Sequence, residues 1–245
     1  MVGRDLQIAQ QRPGAELGNP CAACSIREMS ICAVLDNTEL SRMASIARTQ
    51  SYAARQTIID EGEPAELLFN ITGGAVKLYK LLPDGRRQIT GFLFQGDFLG
   101  IALNEVYAYS AEAVSDVTLC RFPRSRFEGL LDEFPKLEKQ LLEVASNELA
   151  QAQDQMLLLG RKTAREKVVS FILSLSQRAR QRGAETSPVS LPMSRADIAD
   201  YLGLTTETVS RTFTHLKGSG AIRLLPGNMV ELVDVESLQD LAAGA

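Results

Sequence analysis

The chain has few of the residues on which hydrolytic and group-transfer enzymes rely. Its 245 residues include one histidine, His215, and no Gly-x-Ser-x-Gly motif that would present a serine nucleophile. A single histidine without such a nucleophile offers no acid–base pair for catalysis. The sequence therefore predicts a protein that is not an enzyme.

Long apolar runs are also missing. No stretch approaches the roughly 18 apolar residues that a membrane-spanning helix needs. Residues 1–7 have no basic start followed by an apolar segment, as a secretory signal would. We therefore expect a cytoplasmic protein with no membrane partner. Because cysteines in that compartment stay reduced, disulfides are not expected.

Cysteine is scarce, and its four occurrences form one pattern. Cys21, Cys24 and Cys32 lie close together near the N-terminus, and Cys120 follows much later in the chain. Because no cysteine is left over, this pattern indicates four ligands for one metal centre. The run Cys-x-x-Cys-x-x-Cys of ferredoxins is absent, which argues against a dedicated electron carrier.

Three interpretations of these thiols remain open. Structural zinc sites usually pair two short Cys-x-x-Cys motifs, whereas Cys120 has no second cysteine near it in sequence. An iron–sulfur cluster accepts three ligands from one loop and a fourth from a distant strand. The spacing favours a cluster over zinc, and thiols that respond to oxidation without any metal are the third interpretation.

The chain is long enough to bury two hydrophobic cores, because 45% of its residues are hydrophobic. Thr38 is expected to cap a short helix. Between about residues 52 and 122, short β-rich runs alternate with glycine-containing turns, which predicts an antiparallel roll or sandwich. The expected fold is α+β, with a cysteine-rich segment over residues 1–37, a β-roll over 38–134, a long helix over 135–160 and a winged helix-turn-helix over 161–245.

The predicted long helix carries a heptad pattern of apolar residues flanked by polar ones. An amphipathic helix of this kind either packs on its own domain or pairs with a symmetry mate. Its length and its small seam residues favour pairing. We therefore predict a homodimer whose seam consists of Leu142, Ala145, Leu149, Ala152, Met156 and Leu159.

Positive charge is concentrated in one segment although the whole chain is acidic. Residues 161–223 hold 11 lysines and arginines against 5 acids, whereas the rest of the chain holds 15 against 25. A basic module on an acidic protein is typical of nucleic-acid binding. Within it, Ser194 and Asp197 form a capping box, Gly203 ends that helix, and a second helix begins near Thr205. This arrangement predicts a helix-turn-helix.

The second of these helices predicts the contacts to DNA bases. Its apolar side chains face the neighbouring helices, which leaves a polar face on its N-terminal half. Arginine can pair with guanine, glutamate can accept from the cytosine amino group, and serine can reach either. We expect double-stranded DNA as the partner, with Arg161 and Lys162 as candidate phosphate contacts and with bases read by Glu207, Ser210 and Arg211.

Together these features resemble the Fnr type of the Crp/Fnr superfamily of transcription regulators, over essentially the whole chain. The matching residues are the four cysteines, the run 88–92 leading to 96–100, and the motif 207–211. The resemblance implies a cyclic-nucleotide-binding-like β-roll, a dimerisation helix and a winged helix. It also implies an oxygen-labile 4Fe-4S cluster, held by the four cysteines, that promotes dimerisation and binding to a TTGAT-type inverted repeat.

The same resemblance implies further partners and excludes one. RNA polymerase is the expected protein partner, and the turn 83–85 is a candidate exposed loop for it. Cyclic-AMP-binding relatives hold the phosphate with an Arg-Ser pair, whereas this chain reads Tyr109-Ser110, so no cyclic nucleotide is expected. Ala152 stands in the seam where some Fnr-type proteins carry an acid, so the cluster-free dimer is expected to persist more than theirs.

Overall fold

The structure is a computed structural model that describes residues 21, 23–101 and 105–244. Two short 3-10 helices, Arg27–Met29 and Ile31–Val34, precede helix α1 (Asn37–Ile46). Asp36 caps α1, and Glu39 completes a capping box with it. The cap expected at Thr38 was therefore wrong, because Thr38 already lies inside the first turn.

Eight strands then form a roll of two four-stranded sheets, ordered β1-β8-β3-β6 and β2-β7-β4-β5. All of their pairings are antiparallel. At Gly74 (φ +84°) a β-carbon would lie 2.2 Å from the Asp116 carbonyl oxygen, so this turn requires glycine. The strands are β1 (Arg48–Tyr52), β2 (Thr57–Ile59), β3 (Leu67–Gly73), β4 (Ala75–Leu81), β5 (Arg87–Phe94), β6 (Phe98–Leu99), β7 (Ser110–Ala113) and β8 (Val117–Pro123).

Alternation along β3 gives the roll two buried faces. Phe69 and Ile71 point into the space between the two sheets, where they join the roll core. Leu68 points to the opposite face and packs with α1, with the helix that follows β8, and with the cysteines. This second face is where the cysteine segment covers the roll.

Two helices lead away from the roll: α2 (Arg124–Glu133) and the 27-residue α3 (Pro135–Arg161). Proline suits the first turn of α3 because the N–H that it lacks would have no partner there. Leu137, near the start of α3, is fully buried beneath the cysteine segment. Farther along, Leu142, Leu149 and Met156 are 66%, 61% and 64% exposed.

The C-terminal part is a winged helix built around one apolar cluster. The roll contributes to that cluster through β5, because Ile89 and Phe92 pack in it. The Phe92 ring centroid lies 5.3 Å from that of Tyr201 and 6.0 Å from that of Phe171. The elements are α4 (Ala164–Gln181), β9 (Val189–Ser190), α5 (Arg195–Leu202), α6 (Thr206–Gly218), β10 (Ile222–Leu225), β11 (Met229–Leu232) and α7 (Val235–Ala243).

The structure thus confirms the α+β architecture expected from the sequence, a β-roll followed by a long helix and a winged helix-turn-helix. The strands β9, β10 and β11 form the small wing sheet, with the order β10-β11-β9. In the part of the chain that the structure describes, no helix is both long enough and apolar enough to cross a bilayer.

Candidate metal centre and nucleic-acid interface

All four predicted cysteine ligands come together on one side of the roll. The turn that carries Cys21 and Cys24 is closed by a hydrogen bond, 3.4 Å long, from the Cys24 N–H to the Cys21 carbonyl. Cys32 lies on the second 3-10 helix, whose N-cap Ser30 accepts from the Cys32 N–H at 3.3 Å. Cys120 reaches the same apolar cluster from β8, which is an inner strand of its sheet.

The thiols lie close enough to affect one another's ionisation. Burial, and then the charges of the other cysteines, raise the pKa of Cys32 and of Cys120 to about 12. Burial and Cys24 also raise the pKa of Cys21. Arg27 lowers the pKa of Cys32, but this effect is the smallest of those acting there. Among the described residues, the positive charge that acts on Cys32 is therefore too weak to offset its burial.

This donor set fits a metal–sulfur centre, since a bound metal supplies positive charge and deprotonates its thiol ligands. The surrounding apolar side chains exclude water on the roll side. No three histidine, cysteine, aspartate or glutamate side chains among residues 21, 23–101 and 105–244 lie close enough to hold a single metal ion.

The cysteine segment rests directly on α3. Ile31 and Leu35, which flank Cys32, pack in the same cluster as Leu137, Leu141 and Val144 of α3. Any change in the path of the 3-10 helices therefore acts on the N-terminal half of the long helix, because close-packed side chains transmit displacements.

The helix-turn-helix forms as the sequence indicates. Ser194 and Asp197 make the capping box of α5, and Gly203 ends that helix in the left-handed conformation, with φ 61°. Thr205 caps α6 by accepting from the Thr208 N–H at 3.2 Å. Three apolar side chains on the inner face of α6 are buried: Val209, Phe213 and Leu216.

The three predicted base readers, Glu207, Ser210 and Arg211, are all exposed on the N-terminal half of α6. Hydrogen bonds from its own N–H and from Thr205, together with the charge of Arg211, hold the pKa of Glu207 below its usual range. The glutamate is therefore an ionised hydrogen-bond acceptor, as recognition of a cytosine amino group requires.

Lys162, one of the candidate phosphate contacts, is also engaged inside the winged helix. The Lys162 ammonium donates to the Ser170 hydroxyl at 2.7 Å and to the Ala242 carbonyl at 2.8 Å. These bonds tie α7 to α4, so Lys162 is a structural link inside the winged helix. Arg161, by contrast, is exposed.

The predicted seam residues are divided between two environments. Leu142, Leu149 and Met156 lie a heptad apart and are exposed, as an unpartnered apolar stripe would be. Leu159 is half-buried, and its Cδ2 lies 3.6 Å from the position that a β-carbon on Gly203 would take. Leu157, which the heptad pattern left out, is 60% exposed.

An exposed polar reading helix, joined through a long helix to a β-roll with a thiol cluster, defines a DNA-binding transcription regulator with its own sensory domain. Residues 49–134 match the cyclic nucleotide-binding domain family, and residues 166–241 match the Crp-like helix-turn-helix domain family. The chain belongs to the Crp/Fnr family of transcription regulators.

Several known proteins are similar to this chain along most of their length. The nitrogen fixation regulation protein FixK of Bradyrhizobium diazoefficiens is 43% identical over 92% of this chain and 95% of its own. The transcriptional activator protein FnrL of Cereibacter sphaeroides is 38% identical over 91% of each chain. The structure of FixK2 from Bradyrhizobium japonicum matches with a TM-score of 0.76 at 39% identity, covering 82% of this chain and 99% of that one. These relatives are regulators, so the prediction of a protein that is not an enzyme is confirmed.

Proposed function

We propose that this chain is a homodimeric, oxygen-responsive transcription activator that binds a TTGAT-type inverted repeat when its four cysteines hold a 4Fe-4S cluster. The observation that carries the proposal is the convergence of Cys21, Cys24, Cys32 and Cys120 beside the N-terminal half of α3. The relatives FixK, a nitrogen fixation regulation protein, and FnrL, a transcriptional activator protein, support the activator part of the proposal.

In this proposal the thiolates of the four cysteines hold the cluster, which supplies an oxygen-labile centre when bound. Holding it orders the segment that carries Cys32. That segment packs through Ile31 and Leu35 on Leu137 of α3, so its order favours one placement of the long helix. Two α3 helices then pair along their exposed apolar stripe, and each dimer presents two α6 helices to successive turns of the major groove.

The roll interior supports a regulator that does not bind cyclic nucleotide. Tyr109 stands where relatives that bind cyclic AMP have arginine, and its hydroxyl accepts from the Gly100 N–H at 3.2 Å. Ser110 accepts from the Glu61 N–H at 3.0 Å, so its hydroxyl is already used. The Tyr107 hydroxyl likewise donates to the Leu67 carbonyl at 2.7 Å.

A polymerase contact fits the tip of the β4–β5 hairpin. The tip turns through Asp84, which pairs with Arg86 at 2.8 Å. Beside it two adjacent apolar side chains, Leu81 and Leu82, are 58% and 46% exposed. An exposed apolar pair next to charged residues is suited to contact with another protein.

The test of the proposed function is the metal content of protein purified without oxygen, followed by DNA binding before and after exposure to air. We expect iron and inorganic sulfide with a brown visible spectrum, and binding to an inverted repeat that is lost in air. A colourless protein that contains zinc would favour a zinc-holding regulator of the same fold. A metal-free protein whose DNA binding follows thiol oxidation would favour a thiol switch.

Replacing Arg211 with alanine is expected to cost about 1–3 kcal/mol of binding free energy on the cognate half-site, because a bidentate contact to guanine is lost. Discrimination at that one base pair should disappear as well. Binding to matched and single-base-changed duplexes measures both effects, with Arg161→Ala as the control that weakens all sequences alike. Equal losses on cognate and scrambled DNA for Arg211→Ala would remove it from the base readers.

A further inference from the structure

Two basic side chains of the roll hold the first helix of the helix-turn-helix by its acidic face. The Lys77 ammonium on β4 lies 2.9 Å from Asp197 Oδ1 of α5 and 2.8 Å from Glu112 Oε1 of β7. The Arg87 guanidinium on β5 lies 2.8 Å from Asp200 Oδ2 and 3.3 Å from Asp197 Oδ1. The pairs with Asp197 and Asp200 therefore join the roll to α5.

Two glutamines hold the other end of the same helix. The last carbonyls of a helix have no partner within the helix. Gln88 of β5 donates from Nε2 to the Asp200 carbonyl at 2.8 Å and to the Tyr201 carbonyl at 3.3 Å. Gln155 of α3 donates to the same Tyr201 carbonyl at 2.8 Å. The C-terminal end of α5 is thus satisfied by the roll and by the long helix together.

These contacts fix the orientation of α5 on the roll as well as its distance from the roll. The side chains of Lys77 and Asp197 are only 8% and 11% exposed, so rotating α5 on the roll would separate the buried Asp197 carboxylate from the Lys77 ammonium. Phe92 packs against Tyr201 beneath the ion pairs. Because α5 and α6 pack as one unit, the direction of α6 follows that of α5.

We propose that Lys77, Arg87 and Gln88 are positioning residues for DNA binding, which set the orientation of α6 relative to α3 and thereby the half-site spacing that a dimer accepts. The inference rests on the proposed reading of an inverted repeat by a dimer, in which the separation of two reading helices must match the separation of the half-sites. The three residues lie on the roll and contact α5 directly, so they act on α6 through α5.

The test compares Arg87→Met with Lys80→Met in full-length protein purified without oxygen. Lys80 lies on β4, and its ion pair with Glu61 stays within the roll, so its variant is a matched control. Binding is measured on duplexes with two TTGAT half-sites, at the spacer that the unmodified protein prefers and at spacers one base pair longer and shorter. We expect Arg87→Met to lose about tenfold on the preferred spacer and most of its preference among spacers, whereas Lys80→Met keeps both.

A second measurement separates positioning from folding and from base reading. Discrimination against a changed base inside one half-site should stay within about twofold in Arg87→Met, because α6 itself is intact. The double variant Arg87→Asp with Asp200→Arg should recover the spacer preference that each single variant loses. Unchanged spacer preference in Arg87→Met, tighter binding by it, or no recovery in the double variant would each overturn the proposal. Failure of the unmodified protein to bind any inverted repeat would instead overturn the proposed function.

A different observation concerns the thiol cluster. Asn70 of β3 is 2% exposed, and its Oδ1 is buried with no hydrogen-bond partner among the described residues. In the register of the sheet Asn70 lies directly opposite Cys120, so the two side chains share one face, with Cβ atoms about 4.5–5.5 Å apart. A buried amide oxygen without a hydrogen-bond partner costs stability, so its presence beside a thiol points to a function there.

We infer that Asn70 is a positioning residue for the proposed cluster, whose amide N–H donates to the Cys120 sulfur or to a sulfide when the site is filled. Rotating the amide by half a turn exchanges its oxygen and nitrogen, so the donor can occupy the unpartnered position. Hydrogen bonds to sulfur tune the potential and stability of iron–sulfur centres.

Asn70→Leu tests this inference with two readouts of opposite sign. The metal-free variant should unfold about 2–4 °C higher than the unmodified protein, since an unsatisfied buried amide is replaced by an apolar group of similar size. The iron-loaded variant should lose its visible absorbance in air at least about threefold faster, with Thr49→Val, on the other neighbour of Cys120, as the control. A destabilised metal-free variant, or an unchanged decay rate, would overturn the inference, and an unmodified protein without iron would overturn the proposed function instead.

Discussion

Replacing Cys120 with serine is expected to remove most of the iron from protein purified without oxygen. Changes outside the ligand shell already cost about 10–100-fold in metal affinity, and loss of a ligand should cost at least as much. Cys120 is also the one predicted ligand on the rigid roll, whereas Cys21, Cys24 and Cys32 share a single segment. Without it, the cluster would lose its link between that segment and β8.

Iron and sulfide content, together with the visible spectrum, measure this effect directly. Thr118→Ser on the same strand is a matched control, because it makes a comparably small change at an exposed position. If Cys120→Ser retained full iron loading, Cys120 would not be a ligand and the remaining three cysteines would need another partner. If the unmodified protein held zinc and no iron, the cluster interpretation would fail for all four residues.

Local patterns were predictable from sequence because their causes are local. The capping box at Ser194 and the helix end at Gly203 follow from a few consecutive residues, and both are observed. β7 (Ser110–Ala113) was missed, since its small residues carry little strand propensity and its pairing with β4 places Ala113 opposite Val76. Helix α7 was missed as well.

The candidate site was only partly predictable for the same reason. The four cysteines predicted one shared centre, and the structure places Cys21, Cys32 and Cys120 in one apolar cluster. Asn70 lies opposite Cys120 because of the register between two strands. That register is not encoded locally in the sequence. The ion pair of Lys77 with Asp197 joins residues 120 positions apart. In the sequence alone, each of the two residues is indistinguishable from an ordinary charged surface residue.

Introducing an acid into the seam, by Ala152→Asp, is expected to shift the cluster-free protein from dimer to monomer. In the single protomer Ala152 is exposed on α3, between the exposed side chains of Leu149 and Met156. In a paired seam the new carboxylate would face its twin across the twofold axis, and each buried, unpaired charge costs on the order of several kcal/mol. In the unmodified protein the seam residues are apolar, so no such charge repulsion opposes pairing of the two α3 helices.

Sedimentation with and without iron, at two oxygen levels, measures the monomer fraction of each protein. The expected result is more monomer in cluster-free Ala152→Asp than in the unmodified protein, with DNA binding that depends more strongly on the cluster. Ala150→Asp adds the same charge to the same helix off the seam, so it should leave the dimer unchanged. Lower pH should return part of the Ala152→Asp dimer, because protonation removes the repulsion. Equal monomer fractions for all three proteins under every condition would mean that Leu142–Leu159 is not the dimer seam. The proposed transfer of the signal from the cysteines through α3 to the DNA would then be wrong as well.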